Sequence, residues 1–585
     1  MPYDRSAAAL RSRAVAAVLL GLPGAAGAQD STSADWRADW AVAEGFTLRR
    51  DAEGFRFPTS IAFVPEPGTA PDDPLYFVAE LQGTIKVVTN DRQVHTFATA
   101  VMPLPRDTLP GSKAETGLAG LCIDSRLGDV FATYAYRDSA GVLRNGMARF
   151  ETTPRYFARM PTRKVVITSP FAADLAAISH QIGPCQVTPA GIYVAVGDGE
   201  RPERSRDLTS TLGKVVRIDR NGDPAPGNPF RAQASSKVPA SVWASGLRNP
   251  FGLTVVHGRV FVADNGSALD RFLEIEAGGD YGWNGSDLTI GMNAPLVFYS
   301  AGVVQMDYCS AAHAGLPPQW ADRFYIAVSG ATRSKGNDEG RGKGVYVVEY
   351  GLRERRMLRP PQYLIQYRGT GYQSVVGLAC GPDAVYALPI FPDGSGGSPV
   401  LAVKYDTASP YPYRLKTGMG AVRLMHAKGC FGCHSLNGRG GREAPVLDWD
   451  SLVPRLRQQL SSAAYVRTLS SVDSLDEEPF VANRGARRAV LSARGMDRVR
   501  LWMQHHIREP KFDNPASRMP ALGVSRAEAE RITDFLLTPP ARPPERGLRY
   551  RHLAFAFAAG LMLGVAGGVL AVNRRLKAAR GGPRR

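Results

Sequence analysis

The sequence predicts a six-bladed all-β propeller followed by an all-α domain and one C-terminal transmembrane helix. The first observation is a β-type unit that recurs six times at a spacing of roughly fifty to seventy residues, as propeller blades do. The second is a change to helical periodicity after residue 409, and the third is an uninterrupted apolar run near the end of the chain. A chain of 585 residues is also too long for a single core.

Each predicted blade combines a short β-type run, a turn and a second apolar strand. Aromatic and β-branched residues between Gly and Asp turns are typical of strands. The second strands are predicted at residues 75–78, 130–134, 192–196, 260–263, 324–328 and 385–388, and third strands at 84–88, 214–218, 344–349 and 400–405. Six equivalent units predict a closed propeller over residues 44–406, with a sandwich of irregular hairpins as the alternative.

The two ends of the chain predict an exported protein. Residues 1–28 contain the charged, apolar and small-residue regions of a signal peptide. The segments predicted after the propeller are a linker at 407–416, the all-α domain at 417–538, a Pro/Arg-rich spacer at 539–552, a membrane helix at 553–572 and a basic cytoplasmic tail at 573–585. Together they predict a protein on the periplasmic face of the bacterial cytoplasmic membrane, anchored by that helix.

The formal net charge of +17 does not indicate a nucleic-acid-binding protein. The leader contributes +2 and the tail +6, and the remaining excess is spread through the chain. Dispersed charge favours a solvated surface or an acidic docking partner over a groove for phosphates. We therefore expect no nucleic-acid partner.

The all-α domain carries Cys430-Phe431-Gly432-Cys433-His434. Two thiols one helical turn apart can form thioethers to haem vinyl groups, and the histidine that follows becomes the proximal iron ligand. The Cys-x-x-Cys pair alone is also compatible with a zinc or redox site. The appended histidine and the predicted export favour covalently bound haem c.

Residues 417–537 resemble class I cytochrome c domains, with helical periodicity at 453–460 and 526–537. The resemblance implies that Met519, in the segment Ser-Arg-Met-Pro, is the sixth iron ligand. A methionine thioether stabilises ferrous iron and raises the reduction potential. His505 and His506 are the alternative ligands, and the alternative role for Met519 is a packed core side chain.

A series of ordered motifs runs through the predicted propeller. They are ETGLAGL at 115–121, His180 with Gly183-Pro184, VGD at 196–198, LGKVVRI at 212–218, NPF at 228–230, GLRNP at 246–250 and GGDYGW at 278–283. In this order, over residues 58–406, they resemble the glucose/sorbosone dehydrogenase family, which uses pyrroloquinoline quinone (PQQ).

The resemblance implies oxidation of a sugar or alcohol hydroxyl, in which a histidine takes the hydroxyl proton and an electron-poor quinone takes the hydride. His180 would be the general base, and Arg248 would stabilise charge on the quinone oxygens with Asn249 beside it. The other residues implied are Glu115, Asp198 and Arg333 around the cofactor, Asp198 and Asp270 as orienting groups, and Gly266 and Asp270 near a calcium ion held largely by backbone oxygens. The alternatives are a histidine satisfied at a blade edge and an arginine that only binds loop carbonyls.

The sequence departs from the family in the last blade. Family members commonly carry a cofactor-anchoring arginine where this chain reads Gly-Tyr-Gln-Ser at 371–374, with Gln373 in that segment. PQQ is a tricarboxylate and needs several fixed cations. Arg333, and Lys335 or Lys343, are the candidates to supply them.

These features predict a quinohaemoprotein dehydrogenase that passes electrons to its haem and on to a membrane or periplasmic acceptor. The second hypothesis is a cofactor-free propeller that acts as a binding module on a cytochrome, and the third is a calcium-dependent hydrolase or lactonase. Four cysteines, Cys122, Cys185, Cys309 and Cys380, fall on predicted inner strands; they allow three pairings or free thiols.

Overall fold

The computed structural model describes residues 35–102, 115–174, 179–266, 269–286, 294–299, 301–311, 315–330, 343–393, 396–415 and 420–539. The predicted signal peptide, membrane helix and basic tail lie outside these ranges, as does the predicted spacer apart from its first residue. Within the described ranges no helix combines the length and the apolar character needed to cross a membrane.

Six antiparallel sheets form the propeller, which confirms the predicted fold of this part of the chain. Two strands precede the blades, β1 (Trp40–Val42) and β2 (Phe46–Phe55). Blade one contains β3 (Pro58–Phe63), β4 (Pro74–Glu80), β5 (Thr84–Thr89) and β6 (Val94–Ala98). Blade two contains β7 (Gly117–Asp124), β8 (Asp129–Arg137), β9 (Leu143–Glu151) and β10 (Arg163–Ile167).

The remaining four-stranded blades have the same order from the inner to the outer strand. Blade three contains β11 (Ile182–Thr188), β12 (Gly191–Val196), β13 (Lys214–Ile218) and β14 (Val242–Ala244), with helix α1 (Lys237–Ser241) before its last strand. Blade four contains β15 (Pro250–Val256), β16 (Arg259–Asp264), β17 (Leu269–Ile275) and β18 (Leu296–Tyr299).

The last two blades are completed by the strands that come first in the chain. Blade five contains β19 (Val303–Cys309), β20 (Arg323–Val328), β21 (Gly344–Val348) and β24 (Gln362–Tyr367), with a small β22–β23 hairpin (Tyr350–Gly351 and Arg356–Met357) between the last two. Blade six contains β25 (Val375–Cys380), β26 (Val385–Pro389) and β27 (Ser398–Tyr405). Strand β1 pairs with β24, and β2 pairs with β27. The predicted start at residue 44 leaves β1 outside the propeller, although it is part of blade five.

The second strands are largely apolar and buried because neighbouring blades cover both of their faces. Every residue of β4 is buried, and all but the first residue of β12 is buried. Such continuous runs, rather than alternating patterns, made these strands recognisable in the sequence. The inner strands β3, β7, β11, β15, β19 and β25 pack side by side in a closed ring.

Two disulfides join inner strands of neighbouring blades, which settles the pairing left open by the sequence. Cys122 of β7 is bonded to Cys185 of β11, and Cys309 of β19 is bonded to Cys380 of β25. Cys309 and Cys380 are the last residues of their strands, whereas Cys185 lies in the middle of β11.

The chain after the propeller folds into the all-α domain. Its helices are α2 (Ala421–Ala427), α3 (Cys430–Cys433), α4 (Trp449–Ser461), α5 (Ala463–Asp473), α6 (Arg484–Ser492), α7 (Gly495–Arg508) and α8 (Arg526–Leu537), with a β28–β29 hairpin (Ser435–Leu436 and Arg439–Gly440) after α3. The last helix begins at a capping box, in which Ser525 and Glu528 each accept a backbone N–H of the other residue. Its buried face includes Ile532 and Leu536, which pack into the domain core.

The predicted linker is bound to the propeller rather than free. The Tyr411 hydroxyl donates to the Arg37 carbonyl oxygen at 2.8 Å, and the Leu415 amide donates to the Val42 carbonyl oxygen at 3.0 Å. The all-α domain also packs against blade four, where Val297 of β18 donates its amide to the Ala521 carbonyl oxygen at 3.1 Å. The two domains therefore share a fixed interface.

Candidate functional site

The segments that lead into the inner strands bring the predicted catalytic residues together at one end of the propeller channel. His180 precedes β11, and its Nδ1–H donates to Asp198 Oδ1 at 2.5 Å. Asp198 follows β12 and is 2% exposed, and its Oδ1 also accepts the Glu200 amide at 2.9 Å. With Nδ1 bound to the carboxylate, Nε2 is the ring nitrogen left to accept a proton.

The backbone around His180 is held in an unusual conformation. His180 has φ of 55°, in the left-handed region that non-glycine residues seldom adopt. Its amide donates to Glu115 Oε2 at 2.7 Å, and its carbonyl oxygen accepts the Gly199 amide at 3.0 Å. A Cβ at position 197 would lie 2.5 Å from the His180 carbonyl oxygen, so only glycine allows the two loops to approach this closely.

Glu115 connects His180 to Asn249. Its carboxylate accepts the His180 amide and the Asn249 side-chain amide. Burial raises the pKa of Glu115, and these hydrogen bonds oppose the shift. Asn249 Oδ1 and Thr116 Oγ1 are buried and have no hydrogen-bond partner among the described residues. Buried polar atoms without partners are rare, so these two oxygens are candidates to accept a hydrogen bond from a ligand.

Arg248 is anchored beside this group. Its amide and that of Asn249 donate to the Asp264 carboxylate, which is also paired with the fully buried Arg271 at 2.9 Å. The Arg248 Nη1 donates to the Asn265 carbonyl oxygen at 2.8 Å. The guanidinium carbon lies 5.7 Å from the centroid of the Trp283 ring, within reach of a cation–π interaction.

Trp283 is a member of the site that sequence reasoning named only as the end of a motif. Its Nε1–H donates to Asp198 Oδ2 at 2.8 Å, and the residue is 4% exposed. One oxygen of the Asp198 carboxylate thus binds His180 and the other binds Trp283. The tryptophan in GGDYGW was visible in the sequence, but nothing in the spacing indicated its contact with residue 198.

A cavity of about 520 Å³ lies in the all-α domain. Cys430 and Cys433 of helix α3 line it, followed by His434, and Met519 lines the same cavity. The His434 Nδ1–H donates to the Pro445 carbonyl oxygen at 2.6 Å, which leaves Nε2 for a metal. Burial lowers the pKa of His434 and so favours the neutral imidazole that binds a metal.

The two alternative histidine ligands have different surroundings. His506 lines the cavity and stacks on Trp502 with ring centroids 4.4 Å apart. His505 is absent from the cavity lining and packs beside Phe512, with centroids 5.8 Å apart. Met519 and His506 therefore both border the space that an iron ligand must reach.

In a comparison with known protein families, residues 55–333 match the glucose/sorbosone dehydrogenase family. This part of the chain is similar to that family, and we call it the dehydrogenase domain. Two curated relatives match shorter stretches: an uncharacterised protein of Synechocystis is 32% identical over 105 residues, and an aldose sugar dehydrogenase of Escherichia coli is 26% identical over 95 residues. Each match covers 16% of this chain and 25% of the relative, so the chain matches about a quarter of each relative's length.

A similar solved structure is the PQQ-bound form of an aldose sugar dehydrogenase from Streptomyces coelicolor. It is 19% identical, with a TM-score of 0.45, and the alignment covers 62% of this chain and 100% of that one.

The dehydrogenase domain suits PQQ better than it suits calcium. Arg248 offers a cation, and Asn249, which has a partnerless oxygen, is joined to His180 through Glu115. Arg333 and Lys335, the other predicted cations, lie outside the described residues, and Lys343 is buried immediately before β21. Gln373 is 4% exposed. Its side-chain amide donates to the Phe391 carbonyl oxygen and accepts from the Phe391 amide. At the position of the family arginine, this chain therefore has a side chain that stabilises a loop, which we call the loop brace.

The predicted calcium region does not fit a cation. Asp270 Oδ1 accepts the Gly266 amide at 2.8 Å, and its Oδ2 accepts the amides of Ala301, Gly302 and Val303. The nearby Asn265 carbonyl oxygen already accepts the positively charged Arg248. No cluster of three or more acidic, histidine or cysteine side chains suited to a metal occurs in the part of the chain described. Asp270 orients the turn before β19, not His180 or Arg248 as predicted, and burial raises its pKa to about 6.

Proposed function

We propose that the protein is a periplasmic, membrane-anchored quinohaemoprotein dehydrogenase that oxidises a hydroxyl of a sugar or alcohol. The dehydrogenase domain supports the reaction class, and the aldose sugar dehydrogenases among its relatives support a sugar. The observation that carries the haem part is the cavity in which Cys430, Cys433, His434 and Met519 meet. That cavity borders the dehydrogenase domain at Leu269.

His180 acts as the general base in this proposal. Its Nε2 takes the hydroxyl proton, and the Asp198 carboxylate at 2.5 Å fixes the tautomer and stabilises the imidazolium that forms. Glu115 holds the His180 backbone, and Asp198 holds the ring. PQQ, when bound, supplies an electron-poor carbonyl that accepts hydride.

Arg248 and Asn249 are the residues of this chain that would hold the quinone. The Arg248 guanidinium has donors beyond the one that Asn265 occupies, and arginine is suited to paired contacts with carboxylate or quinone oxygens. Asn249, the next residue, has an oxygen without a hydrogen-bond partner among the described residues.

The all-α domain would carry a covalent haem c. Cys430 and Cys433 would form the thioethers, and His434 and Met519 would bind the iron. The haem supplies a one-electron carrier between the dehydrogenase domain and an external acceptor. Arg455 lines the cavity and has no carboxylate partner among the described residues, which suits it to a haem propionate.

The proposal is tested on full-length protein made in a host competent for cytochrome maturation. Thioether-bound haem should be present, and added PQQ, with and without calcium, should allow sugars to reduce it. His180→Ala should abolish reduction of the haem by sugar but leave its reduction by dithionite intact. A protein without covalent haem contradicts the electron-transfer role.

The alternative of a cofactor-free binding module is favoured by one observation, the loop brace formed by Gln373 in place of a cation. It predicts covalent haem but no PQQ binding and no haem reduction by a broad panel of sugars and alcohols. Equilibrium titration with PQQ distinguishes the two functions.

A further inference from the structure

Trp283 and Leu269 separate the two candidate cofactor sites. Trp283 donates its Nε1–H to Asp198 at 2.8 Å, and Asp198 binds His180. Leu269 lines the cavity that contains Cys430 and is 2% exposed. Both side chains belong to one apolar cluster with Cys430, so packed protein is continuous from the base to the thioether position.

We infer that Trp283 and Leu269 form the electron exit of the dehydrogenase site, the layer of protein that electrons cross to reach the haem. The inference rests on the proposed function and adds a route to it. Closely packed atoms transmit electrons better than a water-filled gap, and protein interiors are packed like organic crystals. Both residues are almost completely shielded from water.

The other side of the haem cavity has a different character. Its rim includes the exposed Gln459 and Arg518 and the half-buried Arg455. An external acceptor can approach this polar rim, whereas the apolar side at Leu269 is closed by the propeller. In this inference, electrons enter the haem from the apolar side at Leu269 and leave it at the polar rim.

The stoichiometry of hydroxyl oxidation sets the number of electrons that must cross this layer. Oxidation of one hydroxyl to a carbonyl releases two electrons and two protons. Each electron reduces the haem iron from ferric to ferrous. The haem must therefore pass the first electron to an external one-electron acceptor before it takes the second. The hydroxyl proton passes through His180, and both protons leave to solvent.

A hydrogen bond next to Leu269 and Trp283 holds the two domains together. The Val297 amide donates to the Ala521 carbonyl oxygen at 3.1 Å, which attaches blade four to the segment after Met519. Val297 is 1% exposed and belongs to the same apolar cluster. This hydrogen bond provides a measure of docking that is independent of catalysis.

The test compares two rates in each variant of the PQQ- and haem-loaded protein. One is reduction of a two-electron dye that takes electrons from the propeller directly, and the other is stopped-flow reduction of the haem by sugar. Leu269→Ala and Trp283→Leu should lower the haem rate severalfold relative to the dye rate. Leu273→Ala is the matched control, since Leu273 lies on the same strand and is fully buried but belongs to a different apolar cluster, so its ratio should stay unchanged.

Trp283→Phe separates the role of the ring from that of the N–H. It removes a hydrogen bond to the charged Asp198 carboxylate, so the dye rate should fall at least about tenfold. The ratio of haem rate to dye rate should not change, because an aromatic ring still fills the layer.

Docking is measured by hydrogen exchange in quinone-free, haem-loaded protein. The amide of Val297 should stay as protected in Leu269→Ala as in the parent. If that variant undocks, Leu269→Val, which leaves a smaller cavity, replaces it and decides the question. Unchanged ratios in docked variants at both positions overturn the inference, whereas a parent without dye reduction or covalent haem refutes the proposed function instead.

Discussion

Replacement of Asp198 by asparagine tests the chemistry of the proposed base most directly. The Asp198 carboxylate accepts three hydrogen bonds, from His180 Nδ1, the Glu200 amide and Trp283 Nε1. An asparagine has one oxygen and one NH₂ group, so at least one of these donors must face another donor. The substitution keeps the size of the side chain and changes only its charge and hydrogen bonding.

The expected loss follows from which donor is left unpaired. If the amide nitrogen faces His180, the imidazole must place its proton on Nε2, and the ring can no longer accept the substrate proton there. The corresponding change in a serine protease triad lowers kcat by about 10⁴. If the ring keeps its tautomer, loss of a charge-assisted hydrogen bond of about 1.5–3 kcal/mol still lowers the rate about 10- to 100-fold.

The assay is sugar-driven dye reduction by PQQ-loaded protein, measured with haem reduction by dithionite as the control for folding. We expect Asp198→Asn to lose at least about tenfold in turnover, with the dithionite-reduced spectrum unchanged. Glu203→Gln, a conservative change in a short helix between Asp198 and β13, should have no effect. Turnover of Asp198→Asn within twofold of the parent would refute the role of this pair in proton transfer.

Three further outcomes are expected. Met519→Ala should convert the haem to a high-spin spectrum and lower its reduction potential, measured by redox titration, whereas an unchanged spectrum would exclude Met519 as a ligand. The double substitution Cys309→Ala and Cys380→Ala opens a loop with a sequence separation of 71 and should cost about 4 kcal/mol of unfolding free energy in denaturant titrations; no loss would contradict the bridge. Asp270 has a pKa raised by burial from 3.8 to about 6, so its folded form holds its proton more tightly than the unfolded chain does. The parent should therefore lose about 2 kcal/mol of stability as pH rises from 4 to 6, a loss that Asp270→Asn should not show when both are compared by denaturant titration.

The propeller was predictable because each blade repeats a local pattern. Second strands are covered on both faces, and continuous apolar runs such as that of β12 identify them without knowledge of their neighbours. The closure was not predictable in the same way. Strands β1 and β2 pair with β24 and β27, which lie more than 300 residues later in the chain, and no local pattern indicates such partners.

In the candidate site, too, local motifs indicated some residues, and the folded structure was needed for the contacts between them. The motif order identified His180 and Arg248, and the spacing of Cys430, Cys433 and His434 indicated a haem site. The contact of Trp283 with Asp198 joins residues 85 positions apart, and it depends on how two blades meet. The prediction that Asp270 orients His180 or Arg248 did not anticipate its four backbone amide donors, which only the folded propeller brings together.

The sequence by itself determined the blade count, the class of each domain and the residue types available for chemistry, since periodicity and short motifs are local properties. Only the tertiary structure decided the disulfide partners, the hydrogen bonds of Gln373 to Phe391 and the apolar cluster that Trp283 and Leu269 share with Cys430. Each of these depends on distances between segments far apart in the chain. Such distances result from packing of the whole molecule, in which many weak contacts act together, and no single segment encodes them.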